Sequence, residues 1–102
     1  MAHDLVIKHG TLVDPAQGIH AVKDVAFEDG RVVAVGDEVG NGRTVIDAAG
    51  KIVAPGMIDI HVHVFEGATH LGIEPDPTCV ARGATTVVDA GSAGADIFPG
   101  FR

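Results

Sequence analysis

The stretch that decides the fold is Met57-Ile58-Asp59-Ile60-His61-Val62-His63-Val64-Phe65, which we predict to be a β-strand. The two-residue period of a strand sends apolar and polar side chains to opposite faces. The apolar face would carry Ile58, Ile60, Val62 and Val64. The polar face would carry Asp59, His61 and His63. A continuous β-branched face is typical of a barrel strand covered by helices, and barrel enzymes place their functional groups near the carboxyl ends of such strands. The two imidazoles would therefore point the same way and could reach one metal ion.

The residues after this strand predict a helix and then a second strand. Asp76 is suited to be an N-cap and Pro77 to be the first helical residue of a short helix that Gly83 ends. Residues 84–89 are rich in Thr and Val, which favour β-structure, so we predict a second strand there, parallel to the first. We expect residues 55–102 to form the start of an α/β domain.

The first half of the chain, residues 1–54, has the pattern of a β-rich domain. Short Val- and Ile-rich runs are separated by Gly, Asp and Asn, and they lie at residues 5–8, 11–13, 21–27, 31–35, 44–47 and 51–53. Asp29-Gly30 is the clearest hairpin turn, because these residues adopt the positive φ angles of a tight turn. Asn41-Gly42 and Ala49-Gly50 are further candidate turns. This half is predicted to be a small antiparallel β-sandwich or one part of one.

Composition excludes several classes of function. The chain has 7 Lys and Arg residues against 14 Asp and Glu residues and a formal charge of -7, so the basic patch needed to bind nucleic acid is missing. No apolar run approaches the length of a membrane span, and no signal peptide is evident. Cys79 is the only cysteine, so no intramolecular disulfide can form, which favours a reducing compartment. We expect its side chain to be a small buried apolar group. We expect a cytoplasmic protein that binds neither nucleic acid nor membranes.

The string Pro55-Gly56 followed by residues 57–63 matches P-G-x-I-D-x-H-x-H, which resembles the start of the barrel in the amidohydrolase superfamily. The resemblance extends to the run at residues 10–14, the hairpin at Asp29-Gly30 and the turn at residues 47–50. Residues 83–95 are similar to the second barrel strand of the dihydroorotase-like branch, often called amidohydrolase/deacetylase.

The resemblance implies a (β/α)8 TIM barrel joined to a composite β-sandwich built from both ends of a longer chain. It also implies a zinc-dependent hydrolase that cuts a C-N bond in a small cyclic or N-acyl amide. One or two divalent ions would lower the pKa of a bound water so that hydroxide attacks the carbonyl carbon. His61 and His63 would bind the more buried ion. The family's other ligands lie further along the chain, so we expect an N-terminal portion that is inactive by itself.

Three other polar residues are candidates for roles near the substrate or behind the metal ligands. Asp59 shares the polar face and could orient an imidazole, or it could have a purely structural role in the barrel floor. Asp89 and Ser92 lie at the carboxyl end of the second strand, where barrel enzymes bind substrate. Turn and capping contacts are the alternative for both.

Two functions remain open from the sequence. The first is the metal-dependent amidohydrolase, whose partner is a small-molecule amide. The second is a non-catalytic β-rich interaction or metal-binding module that keeps the barrel motif only as structure. In either case two parallel strands leave open sheet edges, so we expect homo-oligomers or association through those edges.

Overall fold

A computed structural model describes the whole chain, residues 1–102, and divides it into two compact units, Met1–Pro55 and Gly56–Arg102. The strands of the first unit are β1 (His3–Lys8), β2 (Thr11–Asp14), β3 (Ile19–Val22), β4 (Asp24–Glu28), β5 (Arg31–Gly36), β6 (Gly42–Asp47) and β7 (Ile52–Val53). The second unit contains β8 (Met57–Val62), α1 (Pro75–Thr78), a 3-10 turn (Val80–Arg82), β9 (Ala84–Asp89) and α2 (Phe98–Phe101). None of these helices is both long enough and apolar enough to cross a membrane.

The first unit contains two sheets of mixed direction. One has the strand order β5-β4-β1-β6 and the other the order β3-β2-β7. The pairings β1–β4, β2–β3 and β4–β5 are antiparallel, as predicted. The prediction of an antiparallel arrangement is wrong for β1–β6 and β2–β7, which are parallel. Side-chain patterns show where strands lie, but they do not show which distant strands pair with each other. A parallel pair requires a long connection that brings the chain back beside the first strand.

The run predicted as one strand over residues 21–27 is two strands in different sheets. The chain passes between the sheets at Lys23, whose backbone amide donates to the carbonyl of Gly10 at 3.1 Å. The next residue, Asp24, is buried, and its carboxylate accepts a hydrogen bond from the His9 amide at 3.0 Å. This buried polar contact stabilises the corner, and the apolar pattern of the run contains no sign of it.

Two of the three predicted turns are confirmed. Asp29 and Gly30 have φ angles of 49° and 71° and join β4 to β5. Ala49-Gly50 forms a turn in which the Lys51 amide donates to the Ala48 carbonyl at 2.9 Å. Asn41-Gly42 is not a turn, because Gly42 begins β6 and pairs with His3. The small core between these strands consists of Val6, Leu12, Val25, Ala26 and Ala48.

In the second unit β8 and β9 are parallel neighbours, which confirms the predicted direction. The predicted second strand matches β9. The predicted first strand is too long, because β8 ends at Val62 and not at Phe65. Beyond Val62 the backbone leaves the ladder, and the His63 carbonyl accepts from the Ile73 amide at 2.9 Å, in the loop that follows.

The helix between the strands starts earlier than predicted and is shorter. Glu74 is the N-cap and Pro75 the first helical residue, so the assignment of Asp76 as N-cap is wrong. Both Pro75 and Pro77 suit a first turn, and Pro75 comes first. The α-helix ends at Thr78 and only a 3-10 turn continues it. Gly83 ends this segment with a φ of 100°, as predicted.

Gly56, which precedes β8, is required by the close approach of the neighbouring strand. A Cβ atom at this position would overlap Oγ1 of Thr85 in β9 and lie 2.6 Å from its Cγ2. Threonine is branched at Cβ and cannot easily turn away. The Pro-Gly pair therefore allows the two strands of this unit to start side by side.

We predict that Gly56→Ala lowers the free energy of unfolding of the second unit by about 1–3 kcal/mol, as overpacking typically does. Cys79 is the only cysteine and is 6% exposed, so thiol labelling along a urea series reports the unfolding of this unit. Gly94→Ala is the matched control, because no atom lies within 4 Å of its added Cβ. Equal labelling midpoints for the two variants would contradict the prediction.

Candidate metal centre

His61 and His63 lie at the carboxyl end of β8, and the structure brings their rings together. The ring centroids are 5.7 Å apart and the ring planes meet at 69°. Two imidazoles that share one zinc ion, each about 2.1 Å from a ring nitrogen, have centroids roughly 5 to 6.5 Å apart. His61 is exposed on the last part of the strand, whereas His63 follows the strand and is partly buried. The pair is therefore spaced like two ligands of one ion.

His63 has a hydrogen-bond partner within the protein. Its Nδ1 lies 2.9 Å from Oγ of Ser92, a side chain in the turn after β9. Ser92 is buried, with 5% of its surface exposed. This contact occupies Nδ1, so Nε2 is the only ring nitrogen that could reach a ligand.

Asp89, the last residue of β9, ties the ends of the two strands together. Its Oδ2 accepts from the Val64 amide at 2.9 Å, and its Oδ1 accepts from the amides of Gly91 at 3.0 Å and Ser92 at 2.6 Å. Desolvation acts to raise the pKa of Asp89, but the hydrogen bonds from Ser92, Val64 and Gly91 together outweigh it and lower the pKa to about 2. The turn contacts considered for Asp89 are confirmed.

Asp59 makes a different kind of contact from the one we considered for it. Its Oδ1 accepts a hydrogen bond from the backbone amide of His61 at 3.0 Å, within the same strand. Its side chain is exposed. The structure thus brings Ser92, and not Asp59, to an imidazole.

The residues present fit part of a metal centre. Imidazole nitrogens are good zinc ligands, and the two rings have a suitable separation. Within residues 1–102 no group of three or more His, Cys, Asp or Glu side chains is placed to hold an ion. Catalytic zinc sites usually have three protein ligands. The two histidines by themselves therefore fall short of a complete catalytic zinc site.

Sequence reasoning named Ser92 as a candidate near the substrate or behind the metal ligands, but it did not predict the contact between Ser92 and His63. The pattern Asp89-Ala90-Gly91-Ser92 does contain a signal for its own turn, because an Asp side chain often accepts from the amides two and three residues ahead. The contact from Ser92 to His63 joins residues 29 positions apart. No spacing rule predicts such a contact.

The sequence model of the amidohydrolase family matches residues 44–96 of this chain, a segment that includes β8, β9 and the Ser92 turn. The chain belongs to the amidohydrolase family. This confirms the resemblance drawn from the string at residues 55–63.

Individual relatives agree with this assignment. An allantoinase of Escherichia coli O1:K1 is 38% identical over 90 residues, which are 86% of this chain and 19% of that protein. A dihydroorotase crystal structure superposes with a TM-score of 0.85 at 34% identity, covering 98% of this chain and 27% of that one. An N-acyl-D-glutamate deacylase from Bordetella bronchiseptica, crystallised with zinc and a phosphonate mimic of the tetrahedral intermediate, gives a TM-score of 0.69 at 34% identity, covering 85% and 18%. The chain spans about a fifth of the length of the allantoinases that it matches.

The lowered pKa of Asp89 predicts an acid-sensitive second unit. The ionised carboxylate stabilises the folded state fully above about pH 4, the ordinary range of an aspartate, and this contribution is lost as the pH falls through about 2. Asp89→Asn should therefore flatten the dependence of the unfolding midpoint on pH between these values. Circular dichroism along urea series at several pH values measures this midpoint.

Asp96→Asn is the matched control, since Asp96 is an exposed carboxylate in the same unit. The control should keep the wild-type profile. A profile for Asp89→Asn that parallels the wild type between pH 4 and pH 2 would contradict the assigned role of Asp89.

Proposed function

We propose that this chain forms the first part of a metal-dependent amidohydrolase that hydrolyses a C-N bond in a small-molecule amide, and that His61 and His63 are two of its metal ligands. The observation that carries the proposal is the pair of imidazole rings, 5.7 Å apart, at the carboxyl end of the first of two parallel strands. These residues lie inside the segment that matches the family. The zinc in the Bordetella bronchiseptica deacylase supports zinc as the ion.

The proposal includes the architecture of the longer enzyme. β8 and β9 would be the first two strands of a (β/α)8 barrel, and residues 1–54 the N-terminal part of a composite β-sandwich. The parallel pairing of β8 with β9 and the TM-score of 0.85 to the dihydroorotase support this arrangement. Exposed apolar side chains on the strands, such as Ile58 and Ile60, are also suited to a face that helices cover in a barrel.

The residues of this chain would bind and orient the metal. A divalent ion, once bound, lowers the pKa of water and polarises a carbonyl oxygen, which is the chemistry that amide hydrolysis requires. His63 is held by Ser92, and Asp89 fixes the strand ends from which both imidazoles project. His61 is open to solvent and free to turn toward an ion.

Three of the relatives support a substrate class. They are named as a dihydroorotase, an allantoinase and an N-acyl-D-glutamate deacylase, and the resemblance to the dihydroorotase-like branch implies a small cyclic or N-acyl amide. We therefore propose a cyclic or N-acyl amide as the substrate. Since the candidate site holds only two imidazoles, we expect the 102-residue chain to bind zinc weakly and to catalyse nothing alone. A cytoplasmic location and association through open sheet edges remain predictions.

Zinc titration by calorimetry tests the ligands. We predict that wild-type chain binds zinc and that His61→Ala or His63→Ala weakens binding by about tenfold or more, because each removes half of the available ligands. His70→Ala is the matched control, since His70 is an exposed histidine in the loop after β8. Equal affinities for all four proteins would contradict the proposal.

The expected inactivity has a separate test. The chain is incubated with zinc and with dihydroorotate, allantoin or N-acetyl amino acids, and product formation is followed by chromatography. We expect no turnover. Turnover that His61→Ala abolishes would overturn the expectation of inactivity, whereas zinc binding without turnover is the expected behaviour of an incomplete site.

A further inference from the structure

Ser92 holds a fixed position beside His63. The residue is 5% exposed, and its backbone amide donates to Oδ1 of Asp89 at 2.6 Å. The Asp89 carboxylate also accepts from the amide of Val64, the residue after His63. One carboxylate therefore fixes both the turn that carries Ser92 and the segment that carries His63. The 2.9 Å contact between Oγ and Nδ1 is set by this frame.

The contact could in principle run in either direction. A serine hydroxyl has one hydrogen to donate and lone pairs to accept, and a neutral imidazole has one N–H and one bare nitrogen. If Ser92 donated to Nδ1, the proton of His63 would sit on Nε2 and block that nitrogen as a ligand. If Ser92 accepts from Nδ1–H, the lone pair of Nε2 is free.

The second direction is the one that the proposed metal site requires. Only with the proton of His63 on Nδ1 is the lone pair of Nε2 free for an ion. The Ser92 oxygen lies 2.9 Å from Nδ1, where it can accept that hydrogen.

We infer that Ser92 sets the tautomer of His63, accepting a hydrogen bond from Nδ1–H so that Nε2 is presented to a metal ion. This inference rests on the function proposed above. Ser92 is a positioning residue, because it acts through His63 and not on a substrate. A histidine ligand commonly has its second ring nitrogen fixed in this way, usually by a carboxylate, a carbonyl or water. His61 is exposed and lies on the strand itself, so of these two imidazoles it is the ring of His63 that Ser92 orients.

The tautomer can be observed directly by nuclear magnetic resonance on chain labelled with 15N-histidine, at about pH 8.5, where an imidazole is ordinarily neutral. We expect His63 to carry its proton on Nδ1 in the wild type. In Ser92→Ala the His63 signals should move toward the Nε2–H form, while those of His61 and His70 stay unchanged. Ser92→Thr keeps the hydroxyl and should keep the wild-type tautomer.

A wild-type spectrum with His63 protonated on Nε2 would overturn the inference, even if a variant failed to fold. Unchanged His63 signals in a folded Ser92→Ala protein would overturn it too. Protection of the Cys79 thiol from labelling, together with the unchanged His61 and His70 signals, shows whether the variants are folded.

Zinc binding separates this inference from the proposed function. If the inference holds, Ser92→Ala weakens zinc binding by about 10-fold or more, and Ser92→Thr restores it. A wild type that shows the Nδ1–H tautomer but binds no zinc would refute the metal site and leave the role of Ser92 intact. A wild type that binds zinc with equal affinity before and after Ser92→Ala would refute the role of Ser92 alone.

Discussion

The carboxylate of Asp89 is the contact on which the candidate site depends. It accepts hydrogen bonds from three backbone amides, one in the segment after β8 and two in the turn after β9. The main-chain ladder between the two strands stops at Val62 and Asp89. Beyond that point, Asp89 keeps the two strand ends in register. Ser92 then lies within hydrogen-bond reach of His63 because Asp89 fixes the backbone on both sides of that contact.

The departure of His63 from the ladder explains why the two imidazoles differ. His61 is still in β8, with its backbone amide bonded to Asp59, and its ring is exposed. His63 is one residue past the strand, where its carbonyl accepts from the Ile73 amide and its ring contacts Ser92. Alternate residues of a strand point the same way, so the strand itself brings the two imidazoles close together. The orientation of one ring is supplied by a residue from the neighbouring strand's turn.

Much of this molecule was predictable because the signals are local. The turn at Asp29-Gly30 and the helix end at Gly83 follow from backbone conformations that few residues adopt easily. β9 follows from a run of β-prone residues, and the family follows from the string at residues 55–63. Each of these features is determined within a few positions of the chain.

The features that sequence reasoning missed depend on contacts between distant residues. The split of the run at Lys23 reflects the buried carboxylate of Asp24, whose partner is the amide of His9. The early end of β8 reflects loop hydrogen bonds that compete with the ladder. For the candidate site, the pairing of His61 with His63 was predictable from the strand period, whereas the contact with Ser92 spans 29 positions and was not. Period and propensity describe one segment at a time, so they do not contain these pairings.

In the second unit, polar contacts matter more than the burial of apolar side chains along β8. Ile58 and Ile60 are 65% and 76% exposed, while Val62, on the same predicted face, is only 7% exposed. Burial of a large aliphatic side chain contributes about 1.5–3 kcal/mol, and these two isoleucines obtain little of it within the chain. Core packing therefore contributes little along most of β8. The geometry at the strand's carboxyl end depends mainly on directional hydrogen bonds, and those at Asp89 are the most numerous there.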